Sequence, residues 1–171
     1  MACGSDKGKS SWLRQLSMAI VLGREEFLGF NINAKHNNVI FISTEDDEDA
    51  TAVLLGRQNL KKEESSKFKG LRYIFDTGNL LAKLENALKE QPADLVVMDT
   101  FSDLFSGDLN SANKVRCFLN DYVLLAKKYK CLIIVNHHTG KGKEDLAPSK
   151  NNLLGSQGFE SKMRMVIELR G

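Results

Sequence analysis

A loop of small residues that leads directly into a helix is the feature that most limits how this chain can fold. Residues 3–10 read Cys-Gly-Ser-Asp-Lys-Gly-Lys-Ser, which is the phosphate-binding pattern G-x-x-x-x-G-K-[ST] except that Cys3 replaces the first glycine. The apolar residues that follow recur with a helical period; they are Leu13, Leu16, Ile20 and Val21. The pattern predicts a loop and a helix ending near Gly23, with backbone N–H groups and the helix dipole facing an anion.

The residue types in this loop suit a nucleotide phosphate. Small residues let the backbone approach phosphate oxygens closely, Lys9 supplies a cation to the β- and γ-phosphates, and the Ser10 hydroxyl can hold Mg²⁺. The alternative is a lysine-containing tail without a ligand, and Asp6 is unfavourable beside phosphates unless it faces solvent. The predicted nucleotide-binding residues are Gly4, Ser5, Asp6, Lys7, Gly8, Lys9, Ser10 and Ser11.

Length and composition are those of one globular domain. The chain has 171 residues, of which 42% are apolar and 27% charged, enough to build a single core. No apolar run reaches membrane-spanning length, no signal peptide is expected, and a net charge of +2 does not by itself indicate nucleic acid. Three widely spaced cysteines, Cys3, Cys117 and Cys131, indicate a reducing compartment without a disulfide framework. We therefore predict a cytoplasmic protein without a membrane partner.

Strand-like and helical segments alternate along the chain, which predicts an α/β fold with a parallel sheet. A phosphate loop normally follows a buried strand, yet two residues precede this one, and the chain stops after a strand-like run. We therefore expect residues 1–171 to be one core that is trimmed at both ends and lacks its first strand. The predicted strands are 39–44, 71–75, 94–99, 131–135 and 164–169. The predicted helices begin near residues 9, 50, 79 and 111.

Three connections carry their own expectations. Residues 24–30 read as a turn or short hairpin held by apolar anchors. The helix after the acidic run 45–49 should turn Val53 inward. Residues 100–110 read as a linker rich in Ser, Asp and Gly, in which Phe101 is one of the apolar anchors.

Two acidic residues are expected at the carboxyl edge of this sheet, where ligands of parallel sheets bind. Asp99 ends the run Leu-Val-Val-Met, so it can hold Mg²⁺ together with Ser10, although such an aspartate can also simply cap the next loop. Thr100 stands where many ATPases carry a catalytic glutamate. Glu45, which follows another buried strand, is then the best candidate to polarise water; Asp46 is the second choice, and a solvated helix start is the alternative.

A histidine pair ends the strand 131–135 at the same edge. We predict that His137 contacts the γ-phosphate and reports its loss to the following loop. A surface pair without a role is the alternative, more so for His138.

The order of these pieces resembles the RecA-like P-loop ATPases, and most closely the branch of the hexameric RepA replicative helicases. The similar stretches are 8–13, 39–46, 96–99, 135–141 and 155–156. The resemblance implies a three-layer parallel sheet, binding and hydrolysis of ATP with Mg²⁺, and a homo-oligomeric ring, hexameric in that branch. It supports the roles of Glu45, Lys9 and His137 in catalysis. The cationic finger of that family has weak counterparts here in Arg164 and Arg170.

The loop after the histidine pair is a channel-facing, DNA-contacting segment in the resembling family. It maps onto residues 138–154, where Lys141, Lys143 and Lys150 are the candidate DNA contacts. The leading hypothesis is an ATPase motor core in DNA replication, repair or mobile-element maintenance. The rival is a nucleotide-dependent or degenerate oligomerisation module without useful hydrolysis; a phosphotransferase lacks any signature of an acceptor pocket or lid.

Overall fold

The computed structural model describes residues 1–3, 8–57, 62–140, 146–147, 149, 152–153 and 156–169. The elements in chain order are β1 (Ala2–Cys3), α1 (Lys9–Val21), β2 (Glu26–Phe27), β3 (Phe30–Asn31), β4 (Val39–Ser43), α2 (Glu48–Gly56), a 3₁₀ helix (Lys62–Gly70), β5 (Leu71–Ile74), α3 (Leu80–Glu90), β6 (Leu95–Asp99), α4 (Phe101–Leu104), α5 (Ala112–Tyr129), β7 (Leu132–Val135), β8 (His137–His138) and α6 (Ser156–Glu160).

A parallel four-stranded sheet with the order β5-β4-β6-β7 forms the centre of the molecule. Strands β4 and β6 lie in its middle, and every residue of both is buried. Their nearly continuous apolar sequences suit such positions because both faces of the sheet are covered. The register pairs Ser43 with Asp99, so both strands end at the same level. The predicted α/β class with a parallel sheet is confirmed.

Helices cover the two faces of the sheet, which gives three layers. Alternate residues of β4 point to opposite faces: Phe41 packs in one cluster with Leu13 of α1, and Ile42 packs in the other with residues of α3 and α5. The α1 stripe predicted from the sequence lies on the sheet, with Leu13 fully buried. The helix ends where expected, since Gly23 adopts a left-handed φ of 68°.

The strand before the loop, which the core was expected to lack, is represented by the two residues of β1. It pairs in parallel with β8, with Ala2 opposite His137. Since β8 continues the line of β7 after Asn136, the chain entering the loop lies beyond β7 and not beside β6. The predicted strand 164–169 forms only one bridge, between Ala2 and Glu168, because the two-residue β1 offers so short an edge for pairing.

Three local expectations need correction. Val53 is 56% exposed, and Thr51 is the buried residue of α2 instead. The hairpin β2–β3 forms, and Phe27 in its first strand packs on Trp12, with ring centroids 5.3 Å apart. Phe30 in its second strand is not an anchor, since it is 78% exposed. The linker after β6 contains helix α4, because fully buried Phe101 anchors it in the core.

Among the helices that the structure describes, none is both long and apolar enough to cross a membrane.

Candidate functional site

The carboxyl edge of the sheet brings together acidic and basic residues that are far apart in sequence. Asp99 is the last residue of β6, Glu45 lies just beyond β4, and His138 ends β8. The backbone N–H of Thr44 donates to the Asp99 carbonyl oxygen at 2.8 Å, which joins the two strand ends. Lys9 is the first residue of α1, at the end of the candidate phosphate loop. These groups form the candidate site.

Asp99 is 4% exposed and held in place by one neighbour. The Asn136 side chain, 2% exposed, donates from Nδ2 to Asp99 Oδ1. The backbone of Asn136 is itself anchored, because its N–H donates to the Met98 carbonyl and its carbonyl accepts from the Phe101 N–H, both at 2.9 Å. A buried carboxylate needs such a donor, so Asn136 orients Asp99. No role for Asn136 was predicted from the sequence.

Replacing Asn136 with leucine is expected to destabilise the fold by about 2 kcal/mol, because the buried Asp99 carboxylate would lose its donor. Chemical denaturation measures the change. The matched control is Asn113→Leu, since Asn113 is exposed on α5, and it should shift stability by less than about 0.5 kcal/mol. Equal stability of the two variants would contradict the role of the Asn136–Asp99 bond.

Thr44 connects the two acidic strand ends through its hydroxyl. Its Oγ1 lies 2.8 Å from Asp103 Oδ2 and 3.2 Å from the Asp99 carbonyl oxygen, and it accepts from the Thr100 N–H at 3.0 Å. The turn after β4 is therefore tied to the turn after β6. Thr44 carries no recognisable sequence signal beyond its place after a buried strand.

Glu45 follows Thr44 at this edge of the sheet, and its side chain is exposed. Partial burial raises the pKa of its carboxyl above the ordinary value, the charge of Asp99 raises it further, and His138 opposes the shift. Smaller contributions from Asp103 and Asp46 also raise this pKa. Like charges that crowd a carboxylate make it a stronger proton acceptor. The charges of this edge thus act on Glu45 and raise the pKa of its carboxyl, as is typical of a general base.

Asp46, the second choice for a general base, has a different environment. Its Oδ2 accepts from Arg14 Nη1 at 2.8 Å, and Arg14 is 7% exposed on α1. Its backbone is held by Ser43, whose Oγ donates to the Asp46 carbonyl at 2.9 Å. A carboxylate oxygen bonded to a guanidinium is already occupied by a donor. The two neighbouring acids therefore differ, because Asp46 is bound to α1 and Glu45 is exposed.

Tyr73 of β5 lies beside this ion pair. Its ring packs on Phe41 and Phe75, with centroids 5.1 Å and 5.5 Å away. Burial raises the pKa of Tyr73 to about 12, and the nearby charge of Arg14 partly opposes that rise. The hydroxyl is buried and has no hydrogen-bond partner within the residues that the structure describes.

Replacing Tyr73 with phenylalanine is expected to stabilise the fold by about 1 kcal/mol, because a buried hydroxyl without a partner costs free energy. Thermal or denaturant unfolding of the variant measures this change. Tyr122→Phe on α5 serves as the control, since the Tyr122 hydroxyl is not among the buried atoms without a partner and its removal should bring no gain. A destabilised Tyr73→Phe protein would show that the hydroxyl makes a stabilising bond.

The two histidines of β8 lie on opposite sides of the strand, as successive strand residues do. His137 is 2% exposed and belongs to the aromatic core: its ring stacks on Phe159 at 4.5 Å and meets the edge of Phe101 at 5.3 Å. His138 is half-buried, and its charge acts on Glu45. The structure therefore brings His138, and not the predicted His137, to the acidic groups of the site.

The candidate phosphate loop is described at Cys3, which ends β1, and again from Gly8 onward. Gly8 has a left-handed φ of 79°, which favours glycine, and its carbonyl accepts the first helical bond from Trp12 at 2.9 Å. Lys9 is 6% exposed, Ser10 is half-buried and Ser11 is exposed. The remaining loop residues Gly4, Ser5, Asp6 and Lys7, and the candidate DNA contacts Lys141, Lys143 and Lys150, lie outside the described residues.

The oxygen donors present suit a Mg²⁺ ion shared with nucleotide phosphates better than a metal ion held by protein ligands alone. No group of three or more His, Cys, Asp or Glu side chains with metal-binding geometry occurs among the described residues. Magnesium in nucleotide sites typically uses one or two protein oxygens and completes its shell with water and phosphate oxygens. Asp99, with Asn136 fixing one of its carboxylate oxygens, and the hydroxyl of Ser10 supply such a donor set.

Sequence reasoning missed Arg14 and Asn136 for the same reason. Each is a polar residue within an apolar pattern, and each partner lies more than thirty positions away, at separations of 32 and 37 residues. The helical period offers a signal for Arg14, because it shares a face of α1 with the buried residues Ser17 and Val21. A charged residue on a buried helix face requires a partner of opposite charge.

Comparison with known proteins adds one finding to this geometry. A family model described as an AAA domain matches residues 2–144, most of the 171-residue chain. The search among curated proteins found no match.

Proposed function

Since this chain belongs to the AAA-domain family of P-loop ATPases, we propose that it binds ATP and Mg²⁺ at the carboxyl edge of its sheet and hydrolyses the nucleotide. The observation that supports hydrolysis most directly is the position of Glu45. It follows β4 at the edge where the adjacent buried strand β6 ends in Asp99, and the charge of Asp99 helps to raise the pKa of its carboxyl. A base placed there can accept a proton from the water that attacks the γ-phosphate.

The other roles follow from position along the same edge. The backbone of residues 4–10 and Lys9 bind the phosphates, and Ser10 and Asp99 hold the cation. When bound, Mg²⁺ neutralises charge that develops on the phosphate oxygens. Asn136 keeps the Asp99 carboxylate oriented toward that position.

We assign contact with the γ-phosphate to His138 and not to His137. The imidazole of His137 is 2% exposed and packs against the rings of Phe101 and Phe159 in the core. The charge of His138 acts on Glu45, so it belongs to the same group of side chains. A half-buried imidazole at a strand end can donate to a phosphate oxygen and couple its loss to residues that follow.

The resemblance to RepA-type helicases supports three finer parts of the proposal. The first is assembly into a ring, hexameric as in that branch. The second is contact with DNA through Lys141, Lys143 and Lys150, and the third is work in DNA replication, repair or mobile-element maintenance. Arg164 is exposed and Arg170 lies outside the described residues. Substitution of each arginine in turn can identify which one serves as the cationic finger.

A nucleotide-dependent switch without useful hydrolysis is the second candidate function. Two departures in the loop favour it: Cys3 stands in place of the first glycine, and Asp6 puts a carboxylate in the anion-binding segment. Such a protein would bind Mg·ATP and change its assembly without releasing phosphate.

Calorimetric titration with Mg·ATP followed by a phosphate-release assay tests these functions in sequence. The proposed ATPase binds Mg·ATP and releases phosphate in repeated turnovers, and omission of Mg²⁺ lowers turnover. Binding without turnover would support the switch. Absence of binding would overturn both functions.

A further inference from the structure

We propose that Arg14 and Asp46 form a positioning pair, which holds the turn carrying Glu45 against the helix that follows the phosphate loop. This inference rests on the proposed ATPase function, because it concerns the placement of the catalytic base. Neither residue is expected to touch the nucleotide. Each acts through Glu45.

The first support is the ion pair itself. Arg14 Nη1 lies 2.8 Å from Asp46 Oδ2, and the two side chains are 9% and 31% exposed. An exposed ion pair positions little, because solvent competes with it. A largely buried guanidinium requires its partner and holds it in one geometry. The pair therefore links α1 to the turn after β4.

The second support is the way the turn is built around Glu45. Before Glu45, the Thr44 N–H donates to the Asp99 carbonyl oxygen at 2.8 Å. After it, the Asp46 carbonyl accepts from the Ser43 hydroxyl at 2.9 Å, and the Asp47 side chain caps α2 by accepting from the Ala50 N–H at 2.8 Å. The backbone before and after Glu45 is thus held by hydrogen bonds, and the Asp46 side chain adds a contact with helix α1.

The third support is the place of Arg14 on α1. It follows Ser10 by four positions, so the two residues lie one helical turn apart on the same face. The residue that presents the candidate metal-binding hydroxyl and the residue that holds the turn of Glu45 therefore share one rigid helical turn. Because an error of about 1 Å in the placement of a reacting group can cost ~10²-fold in rate, this shared support fixes the base relative to the phosphates.

The test compares Asp46→Asn, Arg14→Lys and Arg14→Met with wild type in ATP affinity, kcat and unfolding. Asp46→Asn and Arg14→Met are expected to lower kcat by about 10–100-fold, while the Kd for Mg·ATP changes by less than about threefold. Arg14→Lys should recover part of kcat. The double variant should be no slower than either single variant, since both changes remove the same interaction.

Glu85→Gln is the matched control. It breaks an ion pair between Glu85 of α3 and Lys128 of α5, in the helical layer and not at the carboxyl edge of the sheet, with side-chain exposures of 32% and 58%. Its kcat should equal that of wild type. Glu45→Gln added to Asp46→Asn should lower kcat far less than it does in wild type, because the base is already misplaced.

Two results would overturn the inference alone: wild-type kcat in folded Asp46→Asn protein, or a loss of ATP affinity that accounts for the whole effect. If Arg14→Met does not fold, Asp46→Asn and Arg14→Lys decide the question. A wild-type protein that binds ATP without turnover would instead overturn the proposed hydrolysis, and the positioning role with it.

Discussion

Replacing Glu45 with glutamine is expected to lower kcat for ATP hydrolysis by about 10²–10⁴-fold, the usual contribution of a positioned general base. Glutamine keeps the size of the side chain and removes its capacity to accept a proton. The Kd for Mg·ATP should change by less than about threefold, because the role of Glu45 belongs to the chemical step. Phosphate release at equal nucleotide occupancy measures the effect.

Glu48→Gln provides the control for this experiment. Glu48 belongs to the same acidic run and is exposed in the first turn of α2, so its replacement should leave kcat unchanged. Unaltered turnover in Glu45→Gln would remove Glu45 from the mechanism. A similar loss in both variants would instead indicate a general charge effect of the acidic run.

Replacing Phe101 with alanine is expected to destabilise the fold by about 3–5 kcal/mol, because it empties the centre of an aromatic cluster. Phe101 is fully buried. Its ring centroid lies 4.5–5.6 Å from the ring centroids of four neighbours, which are Phe105, Phe118, Phe159 and His137. Aromatic pairs at these distances add to the free energy of simple burial. Denaturant unfolding monitored by circular dichroism measures the loss.

Phe30→Ala is the matched control, since the Phe30 side chain is 78% exposed on the β2–β3 hairpin. Its stability should stay within about 0.5 kcal/mol of wild type. A loss of less than about 1 kcal/mol in Phe101→Ala would show that the cluster collapses around the missing ring. That result would also weaken the proposal that this cluster keeps His137 away from the nucleotide.

Much of the fold could be read from local pattern. The apolar runs of β4 and β6 and the helical stripe of α1 depend on neighbouring residues alone, and period and length identify them. Val53 and Phe30 were assigned to the wrong side because a single apolar residue in a short helix or hairpin does not reveal which neighbour covers it. The linker around Phe101 was missed as a helix since α4 has four residues, too few for a period to show.

Part of the candidate site could be predicted from the sequence for a topological reason. The carboxyl ends of parallel strands meet at one edge, so residues that end predicted strands are brought together whatever the strand order. This rule predicted that Asp99 and Glu45 would lie at the same edge of the sheet. It could not distinguish His137 from His138, because the choice depends on which face of a two-residue strand the aromatic core covers.

The sequence by itself determined the alternation of strands and helices, the helix after the loop and the acidic strand ends, because each is encoded by residues within one or two turns of each other. The tertiary structure alone decided which side chains hold the site. Asn136 binds Asp99 across 37 positions and Arg14 binds Asp46 across 32. Such contacts form only when packing brings distant segments into register, and the burial that makes them strong exists only in the folded chain.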